Sequence, residues 1–216
     1  VPVAPPAPPG LLSALVSLDE IRAVELLDEG RHTLGLSGLV QDLVMPVMRE
    51  IGLAWERGEV SVAQEHLATQ LVRGYLEALR IRSQAAGPQA WLACPPRELH
   101  DLPLAAFALL LQERGWHVRF FGASTPLHDL LRGVRVYRPE LVVVSADDPD
   151  KLSACSVPLD LMSHDTVVAL GGRAAQEVGA DLPGIVLPPD MVAAADHLTR
   201  CFAPEAFARE DLVPAP

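Results

Sequence analysis

The sequence predicts an α/β protein in which an N-terminal helix-bundle cap is followed by a doubly wound, Rossmann-like parallel sheet. Two changes of texture carry that expectation. From Leu11 to about Ala86 apolar residues recur at helical spacing and strand-like runs are hard to find. From Gln89 onward short apolar runs alternate with helical patterns, which is how successive βαβ units read. The size agrees: 216 residues, half of them hydrophobic, suffice for one large or two small domains, each with its own core.

Residues 1–10 carry proline at positions 2, 5, 6, 8 and 9, so a stiff extended tail or linker is expected there. The bundle then spans 11–86. Its first apolar stripe uses Leu11, Leu12, Leu15, Val16 and Leu18 and continues through Ile21, Val24, Leu26 and Leu27 until Gly30, read as the stop. A second helix is expected over about Ser37–Leu53. A third starts at Ser61, where Gln64 completes a capping-box pattern, and runs to about Ser83.

The sheet domain is placed at 87–203, with a C-terminal tail at 204–216. Its expected strands are Ala90–Cys94, Val118–Phe121, Leu141–Ser145, Val167–Leu170 and Gly184–Leu187. Between and after them come helical segments at Leu104–Gln112, Leu127–Val134, around Leu159–Met162 and near Met191–Phe202. Ligands of such sheets sit beyond the carboxyl ends of strands, at a topological switch point. The loops after Cys94, Phe121, Ser145 and Leu170 are therefore the places to look for chemistry.

Composition excludes some functions. The formal charge of −11 repels phosphate backbones, so direct nucleic-acid binding by this chain is not expected. No apolar run is long enough to span a bilayer, and the first residues lack the charged start of a secretory signal, which predicts a soluble cytoplasmic protein. The chain opens on Val rather than Met, which is compatible with a preceding domain. Cys94, Cys155 and Cys201 are far apart and form no CxxC pair, so all three are expected as buried thiols. His32, His117, His128, His164 and His197 have no partner pattern and are assigned to surface or packing, while Trp91 and Trp116 are assigned to the core.

The first strand leads into Cys94-Pro95-Pro96-Arg97-Glu98-Leu99-His100-Asp101. A carboxylate two residues before a histidine, at a strand end, suits a metal-ligating imidazole. The carboxylate can take the proton of one ring nitrogen and make the other a better donor. Zinc fits poorly, because no second or third ligand lies at zinc-like spacing around His100. A metal bound by one protein imidazole, with a macrocycle supplying the rest, fits the pattern.

At these residues the chain resembles the cobalamin-binding domains, whose marker is an Asp-x-His-x-x-Gly loop after the first strand, then Ser-x-Leu/Thr and Gly-Gly at later strand ends. Glu98-x-His100, Ser145-Ala146-Asp147 and Gly171-Gly172 stand at those places, with Pro103 where the family has Gly and Asp147 where it has Leu or Thr. The resemblance implies that His100 is the lower axial ligand of cobalt, in place of the cofactor's own benzimidazole. It also implies that Glu98 and Asp101 belong to the ligand loop and that Ser145, Gly171 and Gly172 leave room for the nucleotide tail.

The helical part resembles the cobalamin-dependent photoreceptor regulators, which carry a Trp, nine residues, then Glu-His. Here these are Trp55 and Glu65-His66, within MPVMREIGLAWERGEVSVAQEHLATQLV, and the likeness extends over roughly Leu11 to Cys201. It implies that Trp55 lies over the upper axial group, typically 5′-deoxyadenosyl, with Glu65 and His66 lining the same space. The light-responsive DNA-binding members place His directly after the Trp; this chain has Glu56. Some relatives also house a linear tetrapyrrole as a second chromophore, which the resemblance extends here without pointing to residues.

The resulting expectation is a light-sensor module without catalytic activity of its own. Photolysis of adenosylcobalamin would shift the bundle and change the state of a homo-oligomer, a dimer or larger. The rival is the corrinoid shuttle of a methyltransferase system, with the same two-part architecture and His loop. A third reading is an interaction module that has lost its cofactor.

Overall fold

The computed structural model describes residues 10–81 and 87–202, so the tails expected at 1–10 and 204–216 lie almost wholly outside the described residues, as do the bundle's expected last residues. The chain divides into two compact units, with the boundary between Arg82 and Ser83.

The first unit contains α1 (Leu11–Val16), α2 (Glu20–Gly38), a π-helical stretch (Leu39–Val44), α3 (Met45–Glu56) and α4 (Val62–Ile81). α1 packs against α2, α3 and α4. The core is aliphatic: Leu11, Leu15, Leu26, Leu27, Leu43, Ile51, Val72 and Leu76 are buried at helical spacing.

Two helix boundaries differ from expectation. The first stripe is broken at Ser17–Asp19, where Leu18 turns left-handed (φ 62°) and the Asp19 side chain caps α2 by accepting the Arg22 N–H at 3.0 Å. Gly30 does not stop the helix; it is buried within α2. The break comes at Gly35, whose φ of 68° is open to glycine at little cost. The next segment enters as the π-helical stretch directly before Pro46, in the first turn of α3, and the helix runs on to Glu56. Proline cannot donate to the preceding turn and crowds it, so a widened turn on its N-terminal side relieves both problems. The capping box stands: Ser61 N–H donates to Gln64 Oε1 at 2.9 Å, and Gln64 N–H donates to Ser61 Oγ at 3.3 Å.

The second unit is a parallel sheet in the order β2-β1-β3-β4-β5. Its strands are β1 (Gln89–Ala93), β2 (His117–Gly122), β3 (Leu141–Ser145), β4 (Val167–Gly171) and the short β5 (Ile185–Val186). The helices are α5 (Leu102–Glu113), α6 (Leu127–Tyr137), α7 (Pro149–Ser153), α8 (Ser156–Ser163), α9 (Gly172–Val178) and α10 (Met191–Phe202). Strands buried on both faces read as continuous apolar runs, and Leu141–Val144 is fully buried. Trp91, Ala93, Val142, Val144, Val168 and Leu170 share one core with Leu130, Leu152, Leu159 and Ala174 from α6, α7, α8 and α9. Their buried strand neighbours Ala90, Leu92, Val143 and Ala169 alternate with them and serve the opposite face. There α5 packs against α10, and the buried Trp116 donates its indole N–H to Thr199 Oγ1 at 2.9 Å.

The strand order reverses direction between β1 and β3, so the loops leaving those two strands part at the switch point, the place where ligands of such sheets bind. Trp91 and Trp116 are core residues, and the five unassigned histidines are all exposed, as expected. Cys94 and Cys155 are buried, but Cys201 is not: it sits near the end of α10 on an exposed position.

Candidate functional site

The loop after β1 is built as a tight turn. Pro96 supplies its second position and Arg97 its third, with Glu98 N–H donating back to the Pro95 carbonyl at 3.1 Å. Arg97 has a φ of 68°, a value that favours glycine, and its N–H donates to Ser124 Oγ at 3.0 Å. Ser124 N–H in turn donates to the Glu98 carbonyl at 2.9 Å, and Thr125 N–H donates to that of Cys94 at 2.9 Å. The loop after β2 thereby holds the turn that aims Glu98 inward.

Glu98 is fully buried, and its two oxygens serve different loops. Oε1 accepts from the His100 backbone N–H at 3.0 Å and lies 2.7 Å from His100 Nδ1. Oε2 accepts from the Asp147 and Asp148 N–H groups at 3.2 and 3.3 Å, just beyond β3. A buried carboxylate with that many donors stays ionised. Burial pushes its pKa up, but the hydrogen bonds from His100, Asp147 and Asp148 outweigh burial and hold it at about 2.

Facing an ionised carboxylate, His100 Nδ1 carries a proton, which leaves Nε2 as the nitrogen a metal could take. The His100 side chain is 71% exposed, so that nitrogen is presented outward from a rigid base. Leu99, beside it, is an exposed apolar side chain on the same loop. Asp101 is buried and accepts the Ala123 N–H at 3.1 Å, which ties the His loop to the end of β2. Pro103, at the family's Gly position, stands in the first turn of α5, where its missing N–H leaves no helical bond unmade.

On the neighbouring strands, Ser145 ends β3 beside Gly171 of β4, with which it is in register. The two glycines have different reasons to be there. Gly172 has φ 84°, and a Cβ on it would stand 2.3 Å from the Ala146 carbonyl oxygen, so the fold itself demands glycine. A Cβ on Gly171 would meet nothing nearer than Ser145 Oγ at 3.7 Å, so its bareness leaves space rather than relieving a clash. Asp147, where the family has Leu or Thr, pairs with Arg173: Nε to Oδ1 is 3.2 Å and Nη2 to Oδ2 is 3.3 Å.

In the helical unit, Trp55 lies in the last turn of α3 and Glu65-His66 in the first turn of α4, so all three stand at one end of this packed helix pair. Trp55 is 48% exposed, a large apolar surface left uncovered, and Glu56 is exposed beside it. Glu65 lies 2.8 Å from His66 Nδ1 and accepts from Thr69 Oγ1 at 2.9 Å. Reading the motifs alone missed Ser124, Arg173 and Lys151, whose ammonium stands 3.6 Å from Glu98 Oε2; only for Lys151 was there a signal, as the single lysine among 17 basic residues.

The depressed pKa of Glu98 makes stability pH-dependent. A carboxyl held at about 2 against an ordinary 4.5 stabilises the fold fully above about pH 4.5 and ceases to do so as pH falls through 2. The contribution is on the order of 3 kcal/mol. Denaturant unfolding of the ligand-free protein between pH 7 and pH 2 is expected to show this loss, and the Glu98→Gln protein is expected to lose that share of the slope. Equal slopes for the two proteins would contradict it.

Residues 10–80 match the family model described as the B12 binding domain. Among curated proteins the chain is similar to the HTH-type transcriptional repressor CarH of Myxococcus xanthus, with 34% identity over 137 residues, 62% of this chain and 46% of that protein. It is also similar to the HTH-type transcriptional repressor CarA of the same organism, with 28% identity over 170 residues, 76% of this chain and 57% of that protein. The chain is homologous to both at modest identity and spans about half the length of these relatives. Among solved structures, the Methanosarcina barkeri monomethylamine corrinoid protein superposes with a TM-score of 0.69, covering 88% of this chain and 96% of that one. At 14% identity that likeness concerns the fold alone: a Rossmann-like parallel-sheet unit preceded by a helical part.

Proposed function

We propose that this cobalamin-binding chain, a homologue of two transcriptional repressors, is a light-sensor module loaded with adenosylcobalamin. Cobalamin binding rests on the Glu98–His100 pair at the switch point, a preorganised imidazole with one nitrogen held and the other offered, and the sensor reading rests on the uncovered Trp55. The residues fit a corrinoid. A single protein nitrogen suffices where a macrocycle fills the equatorial positions, and the bare face of Gly171 beside Ser145 leaves a place for a nucleotide tail. When bound, the cofactor would supply a cobalt–carbon bond that light can break.

The chain's own work is ligation, shaping and readout. His100 Nε2 would hold the metal, Glu98, itself held by the loop amides, fixes His100, and Ser145, Gly171 and Gly172 would border the tail. By the resemblance, Trp55, Glu65 and His66 would line the space of the bulky upper group. Illumination of the loaded protein would alter contacts between copies of the chain, a homo-oligomer whose assembly would be light-dependent. No residue is assigned to a second chromophore.

The corrinoid shuttle reading is favoured by the fold likeness to a corrinoid protein. The two readings part at the upper face, because a shuttle must open it to partner enzymes and a sensor must cover it. The test loads the protein with adenosylcobalamin and records visible spectra and size-exclusion profiles in the dark and after green light. A photolysed spectrum together with a changed oligomer is expected. A photolysed spectrum with no change of oligomer, together with acceptance of methyl groups from a methyltransferase, would overturn the sensor reading in favour of the shuttle. Failure to bind any cobalamin would remove both.

A further inference from the structure

We propose that Lys151 is a positioning residue that moderates how strongly His100 donates to a metal. The inference rests on the reading of His100 as the lower ligand and extends it to a side chain that does not touch the imidazole. Oε1 of Glu98 serves His100, while the far oxygen, Oε2, takes two loop amides and has the Lys151 ammonium 3.6 Å away.

Lys151 is placed there by its own element. It lies in the short α7, where its backbone N–H donates to Asp148 Oδ1 at 3.4 Å and its ammonium stands 3.5 Å from Asp148 Oδ2. The carbonyl of Lys151 accepts from Cys155 Sγ at 3.3 Å. Three quarters of the side chain is covered, which leaves the ammonium shared between two carboxylates. The chain has 16 arginines and uses its one lysine here. A guanidinium fork tends to claim both oxygens of a carboxylate, whereas an ammonium acts as a compact point charge. At ion-pair distance it can draw charge from Oε2 without displacing the amides or the imidazole.

The consequence follows from the partition of one negative charge. A carboxylate on Nδ1–H raises the donor strength of Nε2. A cation on the opposite oxygen makes that carboxylate a weaker proton acceptor and so restrains the effect. Removing the cation releases it, and His100 should then donate more strongly.

The experiment uses the whole chain loaded with cob(II)alamin and electron paramagnetic resonance. One axial nitrogen splits each cobalt line into three, with a spacing that grows with donation from that nitrogen. Lys151→Met and Lys151→Gln are both expected to widen the spacing relative to the unmodified protein. Glu98 keeps its amide donors in each, and two neutral side chains guard against one that fails to fold. His100→Ala is the control, expected to lose the triplet. An unchanged or narrower spacing in the lysine variants, with the triplet lost in His100→Ala, overturns the role of Lys151 alone. A triplet that survives His100→Ala overturns the ligand assignment and this inference with it.

Discussion

Replacing Glu98 is expected to damage the protein in two separable ways, and the choice of replacement decides which. Glu98→Ala leaves the N–H groups of His100, Asp147 and Asp148 without their buried acceptor. Each such group costs on the order of 1–3 kcal/mol, so a loss of several kcal/mol in unfolding free energy is expected. Glu98→Gln keeps the volume and one acceptor oxygen. If that oxygen faces Asp147 and Asp148, the amide NH2 faces His100, and an NH2 group beside Nδ1 donates where the carboxylate accepted. The ring proton then moves to Nε2, which can no longer ligate. Glu98→Gln is therefore expected to fold at neutral pH yet bind cobalamin roughly 10–100-fold more weakly, the range in which supporting residues of metal ligands act. Denaturation curves and a cobalamin titration followed in the visible measure both. A Glu98→Gln protein with unaltered affinity and an imidazole-ligated spectrum would refute the role assigned to the carboxylate.

The two adjacent glycines are expected to respond in opposite ways to the same added methyl. Gly172→Ala combines a left-handed backbone with a Cβ 2.3 Å from a carbonyl oxygen and 3.0 Å from Ser145 Oγ. The junction of β4 and α9 must shift, at a cost of about 3 kcal/mol or more even with no ligand present. Gly171→Ala has an ordinary φ of −125° and its methyl would rest at van der Waals distance. The unfolding free energy of the ligand-free protein should change by less than about 1 kcal/mol. That methyl would nevertheless occupy the space proposed for the nucleotide tail. Overfilling a fitted space costs about 1–3 kcal/mol, so cobalamin affinity should fall about tenfold or more. Affinity unchanged in Gly171→Ala would mean that the tail does not lie beside Ser145.

Much of this was legible in the chain itself, because it depends on short-range pattern. The change from helical spacing to alternating strands and helices separates the bundle from the sheet, and Leu141–Ser145 and Met191–Phe202 are elements at the predicted residues. The Ser61–Gln64 cap involves neighbours three positions apart. Glu98-x-His100, Ser145 and the glycine pair were recognisable at strand ends, because a parallel sheet carries its ligand loops there.

The tertiary structure decided what no local pattern encodes. Gly30 and Gly35 are the same residue type in similar surroundings; the unit around them selects which one breaks the helix. Asp101 stands in the ligand loop in sequence, and only the fold shows that it also braces the end of β2. Gly172 is demanded by an approach to Ala146, and Glu98 is held by residues 49 and 50 positions away. Periodicity and capping are properties of neighbours along the chain, so sequence alone determined the strands, most of the helices and the loop bearing His100. Whether a carboxylate is buried, and which cation stands behind it, depends on segments that meet only once the sheet has formed.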